Sequence, residues 1–349
     1  RLMLGALMLS TVFLLACKQH VQQYDYSIFT FGTLIDITLY DVDKKLADSA
    51  FQQLQQSFDE YHQNWSPWTK GDLAQLNTKL QNPETNTNVE VPEHLLPILK
   101  KSITLSQQSE NFYNPAIGQL IDLWQFHKYQ DKDIQPPDDQ KIQQLINKNP
   151  QMSDLSFDEK NRLNNTNPAL SLNFGAFAKG YAIELAIKQL KQLGIKNAII
   201  NAGGDLSVIG SHGDRAWNIG IRHPRKDSIL ASVEVNDNES VFTSGDYERV
   251  YFYQNKRYHH ILDPRTGYPI NDARSVTVLH EDAGLADAAA TALSVAGREN
   301  WQRIAKKMGI RYVMLIDSDG NIHLTPAMQK RINFLDKSPT SHIIVSEEL

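Results

Sequence analysis

Two oxygen-bearing side chains, Asp287 and Thr291, stand one helical turn apart in the stretch AGLADAAATALSVAG, residues 283–297. Positions i and i+4 of a helix emerge on one face, so a carboxylate and a hydroxyl there could grip a hard divalent cation. The alanines around them favour helix and carry almost no bulk, which lets another backbone come close. The same residues also suit an ordinary packed helix, with Asp287 near a favourable N-terminus and Thr291 bonded locally. Upstream, YHHILDPRTGYPI (258–270) sets His259 and His260 on a short strand, pointing to opposite faces. Asp263-Pro264 opens a turn there, and Gly267 and Pro269 fix its exit. Imidazole suits general-base work near neutral pH, although paired histidines on a strand also serve as packing. GAFAKG (175–180) puts Lys179 at a helix start, where free N–H groups and a positive charge face anions. Its spacing is neither a P-loop nor a dinucleotide fingerprint.

The elements that must position these groups can be read in order. IFTFGTLIDITLYDV alternates as a strand over 27–42, interrupted at Gly32-Thr33. Apolar residues at helical spacing predict a helix over 44–63, and Pro67 and Gly71 make a loop before a short helix. Trp65 and Trp68 beside that loop could stack on an aromatic ligand or cap a core. Further helices are expected over 92–109, within NFYNPAIGQLIDLWQF (111–126) and over 141–149. After residue 165 strands dominate: 170–174, 198–201, 217–221, 231–235 and the β-like runs of VFTSGDYERVYFY (241–253), separated by a helix over 181–193. The glycine turn AGGD (202–205) lets a backbone touch a ligand.

Composition sets the outer limits. With 349 residues and 41% hydrophobic content, the chain can bury a large core. Thirty-five basic against 40 acidic residues give a net charge of -5, without a basic run, and nucleic acid is not an expected partner. Arg1 precedes the apolar run LMLGALMLSTVFLLA, too short to span a bilayer comfortably and placed like a signal-peptide core. The only cysteine, Cys17, follows in the order Leu14-Leu15-Ala16-Cys17, which looks like a bacterial lipobox. The expected organisation is therefore a lipoprotein signal peptide over 1–17, a polar spacer over 18–26 and one catalytic unit over 27–349. Lipid on Cys17 would tether it to a membrane, on the periplasmic side and at the inner membrane.

FGT (31–33), SPWTKGDLAQLN (66–77), NFYNPAIGQLIDLWQF, GAFAKGYAIE (175–184), AGGD, TSGDYER (243–249), HILDPRTGYP (260–269) and ADAAATAL (286–293) occur in the order in which ApbE-like flavin transferases carry similar motifs. The chain resembles that family over nearly everything after the spacer. The resemblance implies an α+β fold, mostly antiparallel sheet with flanking helices and T-fold-like. It implies that FMN is transferred from FAD to a Thr or Ser hydroxyl of a target protein, with AMP released and Mg2+ required. Carried onto matching positions, the metal ligands are the Ala176 carbonyl, Asp287 and Thr291. Flavin and adenine contacts fall at Phe31, Trp68, Tyr113, Asn114, Pro115, Asn173, Lys179, Ile261 and Thr266. His260 is the expected proton acceptor, with Asp263 beside it in the turn. Asn173 and Asn114 stand where the family commonly has an acid, which removes negative charge while keeping hydrogen-bonding capacity. Two alternatives use the same site: a Mg2+-dependent FAD pyrophosphatase, and a flavin-binding lipoprotein without catalysis.

Overall fold

The computed structural model describes residues 22–131, 133–335 and 342–349. Its first element is a hairpin, Gln23–Thr30 paired antiparallel with Thr33–Tyr40. Phe31 and Gly32 form the two-residue turn, both with positive φ (51° and 74°), as a tight hairpin matched to strand twist requires. The single strand expected over 27–42 is thus two strands, and the irregularity read at Gly32-Thr33 is the reversal itself. Residues 23–26, expected as spacer, belong to the first strand. Their outward side chains are polar because they face solvent: Asp25 and Ser27 bond across to Thr38 (2.6 Å) and Asp36 (2.5 Å). The inward residues Ile28, Ile35, Ile37 and Leu39 are buried. The expected signal peptide and Cys17 lie outside the described residues.

The hairpin is one edge of a nine-stranded sheet. From it the order runs through Asn197–Ala202, Asp205–Ile209, Ser240–Gly245, Ala273–His280, Tyr312–Asp317 and Ile322–Leu324 to Ile343–Val345. Every neighbouring pair is antiparallel except the last. One face carries the main core, covered by the helices Lys44–Trp65, Leu96–Gln108, Ala178–Gln192 and Ala283–Met308. On the other, a three-stranded sheet of Trp217–Arg222, Ile229–Val235 and Ile332–Phe334 closes a second core around Val208, Trp217 and Met314. A third apolar cluster joins the helices Gly118–Trp124 and Asp139–Lys148 to the ribbon Val250–Tyr253/Lys256–His259.

Two features of this frame set up the site. The alanine helix is buried on every side, with Ala286, Ala288, Ala289, Ala290 and Ala292 at most 1% exposed. Small side chains are what an element enclosed by sheet and helices can carry. It is regular to Ala296, kinks at Gly297 (φ 65°) and resumes with Asp272 accepting from the Arg298 N–H (2.6 Å), so its first part ends where the sequence pattern ends. The second feature concerns residues 170–174, expected as a strand. They form only a bridge from Ser171 to Ile117, because Ala116 and Pro115 supply carbonyls to Ser171 N and Asn173 N (3.1 and 2.8 Å) from an irregular loop. That pairing still lays segment 113–118 beside the GAFAKG turn. Among the described residues no helix is long and apolar enough to cross a membrane.

Candidate active site

The Ala178–Gln192 helix enters against the first turns of the alanine helix, and Gly180 is the point of closest approach. A Cβ on Gly180 would lie 2.4 Å from the Ala283 carbonyl oxygen and 2.6 Å from Asp287 Cβ, distances only glycine avoids. With no side chain in the way, Gly180 N–H donates to Asp287 Oδ2 at 2.8 Å. In helical register that N–H would reach back to Ala176; its diversion leaves the Ala176 carbonyl without it. Asp287 is 5% exposed. Burial, added to by the nearby charge of Asp205, pushes its carboxyl up to about 6, against the opposing pull of Lys179 and the Gly180 N–H. Four residues on, Thr291 Oγ1 stands 3.1 Å from Ser244 Oγ.

The chemistry of these donors fits a hard cation. Asp287 keeps Oδ1 free of hydrogen bonds among the described residues, Thr291 offers a hydroxyl, and Ala176 a carbonyl spared by its helix. All are oxygen, the preference of Mg2+. No group of three or more His, Cys, Asp or Glu is gathered anywhere among the described residues, so a cation here would draw on backbone and hydroxyl oxygen as well as carboxylate.

Positive charge borders this corner. Lys179 pairs with Asp205, whose other oxygen accepts from Thr243 N (3.0 Å). Burial works against the ammonium, but Asp205 and Asp287 more than offset it and hold its pKa above the ordinary value. Arg249 has positive φ (44°) and no ion pair among the described residues; a Cβ on Gly32 would lie 3.8 Å from its guanidinium. Burial first, then Arg249, His259 and Lys179, push His260 down to about 3. Its Nδ1 lies 3.0 Å from the Glu248 carbonyl oxygen. A carbonyl can only accept, so the proton resides on Nδ1 and Nε2 carries the free lone pair. His259 differs: it is buried, with Nε2 donating to the Ile270 carbonyl (2.8 Å). The strand ends at His259, and His260 follows it directly.

The remaining expected residues divide into two sets. The first gathers Tyr113, Asn173, Phe31, Ile261 and Trp68, the expected flavin and adenine contacts. The Tyr113 phenol is buried, 2.9 Å from Ser102 Oγ, and its pKa is raised by burial and by the charge of Asp287. Asn173 is buried, its Oδ1 accepting from Gly175 N (2.9 Å) while Nδ2 lacks a partner among the described residues. A buried donor left unpaired is costly. Ile261 is buried in the main core. Phe31 sets its ring 5.5 Å edge-on from His62. Trp68 is 47% exposed, stacks on His127 at 4.9 Å and donates to Asp122 (2.7 Å). Arg249 also lowers the pKa of His127, after burial and Lys128.

The second set holds turns. Asn114 spends its amide on the Pro150 carbonyl (2.9 Å) and its Oδ1 on Ala116 N (3.0 Å); Pro115 contributes its carbonyl to Asn173. Asp263 is buried and gripped by Arg265 through Nε and Nη2 (2.9 and 2.7 Å), so the structure places it as a turn anchor. Thr266 is exposed and accepts from Tyr268 N (3.3 Å). The turn is pinned by Trp124, which donates to the Gly267 carbonyl (2.8 Å). Sequence reasoning left Asp205, Ser244 and Arg249 out of the site. All three lie inside AGGD and TSGDYER, and only the fold shows that Asp205 pairs with Lys179 and that Ser244, at a break between β-like runs, meets Thr291.

The ApbE family model matches residues 31–314. An FAD:protein FMN transferase of Rhodobacter capsulatus is 36% identical over 314 residues, covering 89% of this chain; the chain spans 58% of that relative's length. One of Vibrio cholerae is 28% identical over 319 residues, 89% of this chain and 92% of that protein. Among solved structures, the ApbE protein of Thermotoga maritima superposes with a TM-score of 0.79 at 28% identity, over 89% of this chain and 99% of that one. The flavin transferase ApbE of Vibrio cholerae gives 0.76 at 25% identity, over 89% and 99%. With more than half its length matched and the α+β frame shared, this chain belongs to the ApbE family.

Proposed function

We propose that the chain is an FAD:protein FMN transferase that needs Mg2+ and modifies a Thr or Ser hydroxyl of a target protein. The observation that carries the reading is the open oxygen set of Ala176, Asp287 and Thr291, one corner away from a neutral His260 and the cations Lys179 and Arg249. In the reaction the acceptor oxygen forms a bond to the phosphorus of the FMN moiety. The P–O bond to the bridging pyrophosphate oxygen breaks, and AMP departs with the electron pair. Mg2+ held by Ala176, Asp287 and Thr291 would supply neutralisation of the phosphate oxygens. Lys179 and Arg249 contribute fixed positive charge towards the pyrophosphate. His260 accepts the hydroxyl proton at Nε2 while Glu248 holds Nδ1–H. Burial first, and then cationic neighbours, keep His260 neutral; the second effect eases when an anionic pyrophosphate arrives among those neighbours, strengthening the base as it is needed. Tyr113, Asn173 and Trp68 supply flavin and adenine contacts. Tethering through lipid on Cys17 at the periplasmic face belongs to the same proposal.

The test incubates the purified protein with FAD, Mg2+ and a target protein bearing an exposed threonine. Covalent flavin fluorescence on the target in a denaturing gel supports transfer. FMN and AMP without a labelled target would instead establish the pyrophosphatase, and unchanged FAD beside tight binding the non-catalytic flavoprotein.

A further inference from the structure

Just beyond the strand that carries Ser244 the chain reaches a recess of about 480 Å3, lined by Arg222, Arg225, Lys226 and Arg257 together with Phe252 and Tyr247. Four cations line it beside one carboxylate, Asp227, with Asp246 bonded behind them to Arg225 and Arg257, in a chain whose net charge is -5. We propose that this recess seats an acidic segment of the acceptor protein, close in sequence to the hydroxyl that receives FMN; the proposal rests on the transferase reading.

The charge is not cancelled internally. Arg225 grips Asp246 with both terminal nitrogens (2.7 and 2.5 Å), and Arg257 reaches the same carboxylate at 3.1 Å. One buried carboxylate thus serves two guanidiniums and neutralises one. Arg222 and Lys226 have no carboxylate partner among the described residues; Arg222 stands over the Tyr247 ring at 5.7 Å. His223 Nδ1 accepts from the backbone N–H groups of Arg225 and Lys226 (3.0 and 3.1 Å) and fixes the loop that presents them. Phe252, 69% exposed, is paired across the ribbon with Arg257 and gives the recess an apolar wall for the carbon stems of a bound segment.

Position decides the occupant. Within five residues the chain runs from Thr243, bonded to Asp205, through Ser244, in contact with Thr291, and Asp246, held by Arg225, to Tyr247 in the recess. The recess is thus tied to the site through two residues of chain, Gly245 and Asp246, between Ser244 at Thr291 and Tyr247 in the lining. A net-negative enzyme repels an acidic partner at a distance, so recognition must come from local positive charge, and guanidiniums match carboxylates in geometry as well as sign.

The experiment follows the fluorescence anisotropy of rhodamine-labelled short peptides added to the FAD-loaded protein. One peptide has a threonine flanked by aspartates; the other has asparagines in their place. The aspartate peptide should bind about 10-fold more tightly to the wild type, and the advantage should shrink between about 50 and about 300 mM NaCl. In Arg222→Glu/Lys226→Glu the advantage should vanish or invert, with melting temperature and FAD fluorescence quenching unchanged. If that pair fails to fold, Arg222→Gln and Lys226→Gln singly should each reduce it. Equal binding of the two peptides, or a preference that survives the charge reversals, overturns the proposal. Selective binding by a protein that leaves FAD uncleaved would sink the transferase reading and leave the recess standing; flavin transfer without charge preference would do the reverse.

Discussion

Asp287 and Thr291 were legible as a pair because an i, i+4 spacing of oxygen ligands survives translation from sequence to helix without tertiary information. Arg249 was not, because its importance comes from the absence of a partner, which only the fold reveals. Replacing it with alanine should weaken FAD binding about 10-fold or more, as expected for a lost charged contact, while leaving thermal stability near wild type; it should also raise the titration midpoint of His260 in NMR. Asp287→Ala should abolish Mg2+-dependent turnover, and normal activity would remove the oxygen set from the mechanism. Asp317 offers a pH test away from the site. It is 1% exposed, and burial opposes its charge, but hydrogen bonds from His323, Asn321 and backbone N–H groups hold its pKa at about 2. A depressed carboxylate pKa stabilises fully above the unfolded value near 4 and is lost as pH falls through the folded one. Denaturant titrations should therefore show about 2 kcal/mol draining away between about pH 4 and about pH 2, and Asp317→Asn should remove that dependence.

At the scale of elements, the alanine helix, its end at Gly297 and most of the helices before residue 165 could be read from periodicity and turn residues. The hairpin could not be separated into two strands, because Phe31 occupies a left-handed position that glycine usually marks and the reversal takes only two residues. The expected strand over 170–174 alternates correctly but finds an irregular partner, a tertiary fact that local pattern does not contain. Gly180 is where the two site helices are joined, so Gly180→Val is the sharpest test of that contact. The added side chain meets backbone and must push the helices apart. Calorimetry should register a loss of about 2 kcal/mol or more, accompanied by weaker Mg2+ binding as Asp287 loses the Gly180 N–H. A variant as stable as wild type would show that the helices are not pressed together as described.

Over the whole molecule, one sheet divides the labour. Its helical face holds the alanine helix, Lys179 and the residues proposed to contact flavin, and its central strand Ser240–Gly245 continues into the segment that borders the cationic recess. Charge follows the same division, with an acidic body and cations concentrated where phosphate and an acidic acceptor are expected. The claim on which all of this depends is phosphoryl transfer between two bound partners, and the direct measurement follows AMP and covalent flavin together. With FAD, Mg2+ and a threonine-bearing target protein, the account predicts one AMP released for each flavin fixed on the target, and neither product when chelator removes the metal. AMP formed without flavin on the target, or transfer that continues undiminished in chelator, would contradict it.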